Sequence, residues 1–292
     1  SATVNGKLAD TDWQDEVYET GHRQRYNVGF EGGNENGNLY VSLGYQNHNG
    51  IVKYDGDTFE QFTAQVKASY NIKKWLEVGT TISMEKNTTR ALDEGNILYS
   101  PMAKILSLDP LTPFEYTNGL DGASTWVQNA YNAGLSPVLD THTNQYYGVS
   151  AFSSEQNPIA GLVKNDEKKT NQRTNGTFYL NLKPIKNLVF TSRFGFRMAD
   201  INHYRYLNGG YISFDQTTSQ DRLEDEKTID RYYQWENFAN YAFNVKKHNF
   251  TVMAGMSYIK DVNSYNDMVT NQLISSESNF RYPDYSATTA DD

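Results

Sequence analysis

Cysteine is missing from all 292 residues, which excludes a disulfide scaffold and any thiolate metal site. Its absence is consistent with an oxidising compartment, where stray thiols are a liability. Long apolar runs are missing too. None approaches the ~18 residues a membrane helix requires, and mean hydropathy is −0.71. That excludes a helical membrane protein but not a membrane barrel, whose lumen-facing half is polar and lowers the average. Basic residues are in deficit, 26 Lys and Arg against 35 Asp and Glu, for a net charge of −9. With no basic stripe to neutralise phosphates, nucleic acid is excluded as a partner. A G-x-S-x-G elbow and a phosphate-binding glycine loop are also lacking. His22, His48, His142, His203 and His248 fall in separate turns and loops without metal-ligand spacing. No catalytic residue, metal or cofactor is therefore expected. The opening SATVNGKLADTDW lacks a charged stretch followed by an apolar one, so no signal peptide is legible. The sequence is expected to be either mature or a piece of a longer chain.

What is present is tyrosine, 22 of them, with aromatics at 14% of the chain. Together with Asn, Thr, Ser and Gly this suits strands, aromatic girdles and polar loops. The stretch FTAQVKASYNIKKWLEVGTTISMEK (62–86) alternates in register. Phe62, Ala64, Val66, Ala68, Tyr70 and Ile72 share one face, against Gln65, Lys67 and Ser69 on the other. After Lys73-Lys74-Trp75 the apolar face resumes with Leu76, Val78, Ile82 and Met84, opposite Glu77, Thr81 and Glu85. Period two means strand, because successive Cβ atoms point to opposite faces. Both strands are roughly twice the usual 5–6 residues, close to the ~9–11 that a tilted strand needs to cross a bilayer. Six further strands follow the same pattern: 23–33, 38–46, 174–183, 187–198, 234–245 and 249–259. A segment around Tyr204 to Ile212 reads as a strand extension above the membrane. The fold class expected is all-β, an antiparallel transmembrane β-barrel segment. Phe62, Val66, Leu76, Val78, Ile82, Leu180 and Phe190 should face lipid, and Gln65, Lys67, Glu77 and Arg193 the lumen.

Connections alternate in length. Gly33 to Gly37, Lys73 to Trp75, Pro184 to Lys186 and Lys246 to His248 are tight turns. Between them lie 47–58, 88–169, 199–228 and everything after Asp261. Short turns at one end and long loops at the other is the outer-membrane barrel pattern. Trp75 and Tyr70 at the turn end, with Tyr45 and Tyr258 at the loop end, fit interfacial aromatic belts. By this parity the first strand descends and the eighth ascends, leaving both ends on the loop side. A complete barrel normally has both ends at the turn side. An odd number of strands is therefore expected before residue 1 and another after Asp292, making the sequence part of a larger barrel.

TDWQDEVYETG (11–21) followed by YNVGFEGGNENGNLYVSLGYQNHNGIVK (26–53) resembles the SusC/RagA branch of TonB-dependent outer-membrane transporters. The matching residues are Asp12-Trp13, Gly32-Gly33, Tyr40, Ser42, Gly44-Tyr45 and Gly50-Ile51-Val52. KKWLEVGTTIS is similar to the family's W-L-x-x-G strand start, and NPIAGL (157–162) to a loop segment before a barrel strand. Gln61 and Gln65 depart from the basic residues common there. The resemblance covers the first ninety residues well, and the rest through strand–loop order. It implies a plugged barrel of about 22 strands in a Gram-negative, Bacteroidetes-type outer membrane. Residues 1–22 would end an extracellular loop carrying the DW motif, and 23–292 would form part of the barrel. The resemblance further implies import of oligosaccharide or peptide, a SusD-like surface lipoprotein over the mouth, and a TonB complex reached through a region outside these residues.

Loop 88–169 is long enough to expect function. A helix over 96–108 is expected to pack through Ile97, Met102, Ile105 and Leu106. Trp126, Tyr131, Tyr146 and Tyr147 follow among Asn, Thr and Gly, and rings beside amides suit stacking on sugars or peptide side chains. The same rings also suit loop packing or contact with the lipoprotein. Arg193 and Arg197 should project into the lumen, toward an anionic substrate or toward structural carboxylates. DRLEDEK (221–227) reads as a solvated loop end. Two further readings stay open: a complete eight-stranded outer-membrane barrel serving as adhesin or structural protein, and a soluble β-rich glycan-binding protein.

Overall fold

The computed structural model describes residues 3–4, 7–92, 100–117, 119–140, 142–215, 220–273 and 281. A small hairpin, β1 (Thr3–Val4) and β2 (Lys7–Leu8), leads into a short helix, α1 (Trp13–Val17). Then comes a meander of β3 (His22–Asn34), β4 (Gly37–Asn49), β5 (Thr58–Lys73) and β6 (Leu76–Arg90). An insertion follows, comprising α2 (Pro101–Ser107), α3 (Thr125–Asn132), the hairpin β7 (Leu139–Asp140) and β8 (Gln145–Tyr146), and α4 (Pro158–Lys164). The meander resumes as β9 (Asn165–Leu182), β10 (Leu188–Leu207), β11 (Arg222–Val245) and β12 (His248–Asn271). The eight long strands form one sheet in the order β12-β11-β10-β9-β6-β5-β4-β3, with every neighbouring pair antiparallel.

All eight expected strands are present, and all run further than the alternation suggested. β11 and β12 reach 24 residues each, far beyond the 3–10 typical of globular strands. The excess lies at the loop end, where alternation gives way to charged and amide side chains. DRLEDEK is a correction of this kind: residues 222–227 lie inside β11, paired with both β10 and β12. Its carboxylates bind across strands, Glu224 to Arg205 and Glu226 to His203, which is why a charged run is ordered here. The opposite correction applies to the Tyr204–Ile212 extension. β10 stops at Leu207, and Tyr211 and Ile212 turn away into a separate core. Among the described residues β3 and β12 pair with one neighbour each and not with one another. The eight strands therefore make an open sheet, and a closed eight-stranded barrel is not formed.

Register sorts the faces. Val41, Val66 and Ile82 lie directly opposite one another across three strands, as do Leu76, Leu182, Phe190 and Ala239 across four. The other face carries the rows Tyr40–Lys67–Thr81–Thr177 and Glu77–Asn181–Thr191. Phe178, Phe196, Phe194 and Tyr233 form an aromatic ladder on the apolar face, with ring centroids 6.2 to 6.4 Å apart. Among the described residues no protein layer covers this face. The large buried apolar side chains lie instead in α1, the insertion and the connections at the loop end, or at the strand rim, where Tyr206, Leu223 and Leu273 cluster.

The protein core is therefore a cap at the loop end, assembled from four separate stretches of chain. Trp13, Val17, Val52, Ile105, Val138, Ile159 and Ile212 pack together in it, beside a second cluster of Tyr116, Val127, Val149 and Tyr211. Helix α2 contributes Met102 and Ile105 to the first cluster, and its C-cap Leu108 joins them. Leu106 is 78% exposed, a correction to the expected packing face. The helix begins only at Pro101, so its phase is set by the turn from Pro101 onward; Ile97 lies outside the described residues.

Candidate functional site

The DW and GIV motifs hold the cap to the sheet. Asp12 caps α1, its carboxylate accepting from the Gln14 and Asp15 amides at 3.0 and 3.2 Å, as N-terminal capping favours. That places Trp13 inward, its indole N–H donating to the Asp109 carbonyl at 3.0 Å. Backbone bonds from Glu19 to Ile51 and from Lys53 to Val17, at 2.8 and 2.9 Å, join the chain beyond α1 to the GIV segment. Asp57 secures that segment by accepting from the Ile51 and Val52 amides at 3.1 and 3.0 Å.

NPIAGL works in the same way. Asn157 caps α4, its side-chain oxygen accepting from the Ile159 and Ala160 amides at 3.1 and 3.2 Å. Its amide group donates to the Phe114 and Gly148 carbonyls, both at 3.2 Å. Pro158 sits at the first helical position, where its missing N–H is harmless. Asn157 is fully buried with these four partners, so one side chain ties α4 to the strand-like segments across the cap. Sequence reading noted the motif but not this role. The signal was Asn before Pro at a helix start.

Tyr147 is 1% exposed, and its hydroxyl donates to Asp140 at 2.8 Å. It offers no face for stacking. Tyr146 is half-buried and meets the 46%-exposed Tyr131 edge-on, with centroids 5.8 Å apart. Trp126 is 38% exposed and packs edge-on against Tyr211 at 5.1 Å and Phe214 at 6.3 Å. Trp126 and Tyr131 are five residues apart on α3, which puts them on different flanks of the helix. The structure thus makes two aromatic surfaces, Trp126 with Phe214 and Tyr131 with Tyr146. Phe214 was not singled out by the sequence, because it lies in a stretch read as loop beyond a strand.

Arg193 and Arg197 stand four residues apart on the polar face of β10. Arg193 pairs with Glu236 at 3.8 Å and lies over the Phe238 ring at 5.7 Å. Arg197 pairs with Asp230 at 3.2 Å and lies over Tyr232 at 5.3 Å. Both guanidiniums therefore have carboxylates in the adjacent strand of the wall itself. Both remain nearly half exposed, so they keep donors toward the space beyond the polar face.

Between cap and sheet lies a cavity of about 340 Å³ lined by Arg90, Lys104, Asn157, Lys164, Glu167 and Arg205, among others. Its cations are engaged: Arg90 with Asp166 at 2.5 Å, Lys104 with Glu155 at 2.7 Å, and Arg205 with Glu224 at 3.6 Å. Lys164 donates to the Gly210 carbonyl, and burial lowers its ammonium to about 8. The cavity is braced by these bonds rather than lined with unused charge. A second electrostatic feature sits inside the cap. Burial, and then a hydrogen bond with Asp140, push the Glu115 carboxyl up to about 7. Burial also works against the Asp140 charge, but the His142 amide, the Tyr147 hydroxyl and Glu115 outweigh it and hold Asp140 below the usual carboxylate range. Asp140 is thus the ionised member and Glu115 the proton holder.

No protein-family model matches the chain. Its sequence is 26% identical over 272 residues to the TonB-dependent receptor SusC of Bacteroides thetaiotaomicron, spanning 89% of this chain and 24% of that protein. It is 23% identical over 254 residues to TonB-dependent receptor P3 of Formosa agariphila, spanning 86% and 23% respectively. The chain thus spans about a quarter of the length of the curated relatives it matches. The fold superposes on the RagAB peptide importer in its open-open state with a TM-score of 0.70, at 16% identity, over 96% of this chain and 28% of that one. The closed-closed state gives 0.68 over 96% of this chain. The resemblance to SusC/RagA-type TonB-dependent transporters, and the fold as a segment of their barrel, are borne out.

Proposed function

We propose that this SusC/RagA-like barrel segment belongs to a TonB-dependent nutrient importer of the outer membrane, a transporter and not an enzyme. The observation that carries the reading is the two-faced sheet. Long strands bear one uncovered apolar face and one polar face, with the protein core confined to a cap at a single end. A soluble protein would have to bury that apolar face, whereas a bilayer covers it without further protein. The edges at β3 and β12, unpaired among the described residues, would be hazardous in isolation and are satisfied by further strands of a barrel of about 22. On this reading residues 1–22 end an extracellular loop and 23–292 form barrel wall with the cap outside.

The cargo is an oligosaccharide or peptide. Trp126, Tyr131 and Tyr146 present rings from the cap, and Arg193 and Arg197 present guanidiniums from the wall. A SusD-like lipoprotein closes over the cap, and TonB engages a region beyond these residues. Likeness of the fold to a peptide importer supports the peptide class.

The test is uptake by cells carrying the full-length transporter with Trp126, Tyr131 and Tyr146 changed to alanine, alongside co-purification of the lipoprotein. Each ring that touches cargo should cost about 0.5–1.5 kcal/mol of binding with barrel assembly intact. Loss of lipoprotein association alone would make the cap a docking surface. Wild-type uptake and association together would remove these rings from the site.

A further inference from the structure

The short-turn end of the sheet carries a feature that transport by the cap and polar wall leaves unused. Three of its turns are built from lysine: Lys73-Lys74, Lys183 with Lys186, and Lys246-Lys247, in a chain whose net charge is −9. The fourth turn holds Glu35, the acidic exception. Turn geometry does not call for lysine. Lys246 sits at φ 55, a left-handed position in a two-residue hairpin that favours Asn or Gly. Among the described residues Lys73, Lys74, Lys186, Lys246 and Lys247 make no ion pair, while Lys183 reaches Glu77 at 3.6 Å. The turns also touch one another: the Lys183 amide donates to the Trp75 carbonyl at 2.7 Å.

Above the turns that hold Glu35 and Lys73-Lys74, a groove of about 710 Å³ crosses β3 to β6 and reaches β9, within the usual range of ligand sites. By register, most of its lining comes from the apolar face. Gly32 and Ala68 leave its floor low, and Tyr70, Leu39 and Phe178 stand beside it. The Tyr70 ring crowds Gly37 so closely that a Cβ there would lie 2.7 Å from it. An apolar trough ending at unpaired ammonium groups and an exposed indole has the chemistry of a phospholipid turned inside out: acyl chain, interface and anionic headgroup in order.

We propose that this end of the barrel wall binds an anionic phospholipid of the short-turn leaflet. One acyl chain lies in the groove over Gly32 and Ala68, beside the Tyr70 ring that covers Gly37, and the headgroup phosphate meets Lys73, Lys74 and Lys186. The proposal rests on the reading that the apolar face meets lipid. The site would fix the depth of this wall in the bilayer and favour acidic lipid around it.

The full-length transporter is reconstituted in phosphatidylcholine bilayers containing brominated-chain phosphatidylglycerol or brominated-chain phosphatidylcholine. Trp75 quenching is taken as the difference between the protein and its Trp75→Phe variant. The expected result is stronger quenching by phosphatidylglycerol. That preference should fall roughly five-fold for each lysine lost among Lys73→Gln, Lys74→Gln and Lys186→Gln. Ala68→Phe, which fills the groove, should also lower it while the barrel still assembles. Equal quenching by both lipids overturns the proposal but leaves the lipid-facing reading standing. No quenching by either overturns both. A preference that survives the lysine changes overturns the assigned headgroup contacts.

Discussion

The Tyr147 hydroxyl donates to Asp140 Oδ2 over 2.8 Å inside the cap, with both side chains buried. Asp140 also accepts from the His142 amide at 2.7 Å, so its charge is held by an organised set of donors. Tyr147→Phe removes one donor and leaves its volume unchanged. A hydrogen bond to a buried charged group is worth about 1.5–3 kcal/mol, and that loss should fall on the cap alone. Limited proteolysis of the full-length protein should then cut faster within 101–164, with the heat-modifiable barrel band unchanged. An unaltered cleavage rate would show that the bond contributes nothing to cap order.

Glu115, beside Asp140, makes the cap sensitive to pH. Glu115 is raised from its ordinary 4.5 to about 7, so the folded cap holds a proton that the unfolded loop releases. Its contribution is fully present below about pH 4.5 and is lost as pH rises through about 7. Asp140 is shifted the other way, and its contribution is lost only on acidification. Cap cleavage, corrected against an unfolded peptide of the same sequence, should therefore accelerate between pH 5 and pH 8. Glu115→Gln should flatten that rise, since it cannot ionise. A profile identical to the parent would place the titration elsewhere.

Alternation made the strands legible because one face of each carries apolar side chains and the other polar ones. Where both faces become polar, as in 165–173 and 222–230, the period vanishes although pairing continues. The cap was less legible for a different reason. Its core joins Val17, Val52, Ile159 and Ile212 from four distant stretches, and no local period announces such contacts. The DW, GIV and NPIAGL motifs were visible as resemblance, and the structure gives them a mechanical meaning as caps and braces. Arg193 and Arg197 were placed on the correct face, but their partners Glu236 and Asp230 lie across a strand pairing that sequence order alone does not register.

Glycines in the wall differ in what they permit. The Phe196 ring lies over Gly176, leaving no room for a Cβ there, while Gly195 has nothing closer than 3.9 Å. Gly176→Val should displace Phe196 from its stack with Phe178 and cost about 0.5–1.5 kcal/mol from that aromatic contact. Gly195→Ala should be neutral or mildly stabilising, because glycine weakens a strand interior. Urea midpoints for unfolding of the full-length protein from bilayers separate the two. Equal midpoints for both variants would mean the ring moves aside without loss.

Val66 and Lys67 are neighbours in β5 and point to opposite faces. Val66 stands between Val41 and Ile82 on the apolar face. Lys67 lies opposite Tyr40 and Thr81 on the polar face, and among the described residues it makes no ion pair. An arginine at a lipid-facing position near the bilayer midplane costs about 2–4 kcal/mol. Val66→Arg should therefore reduce the amount of assembled transporter in the outer membrane, measured as the heat-modifiable fraction of total protein. Lys67→Ala removes a charge from the polar face and should leave that fraction at the parental level. Assembly lost through Lys67→Ala but kept through Val66→Arg would invert the assignment of the two faces, and with it the side on which cargo passes.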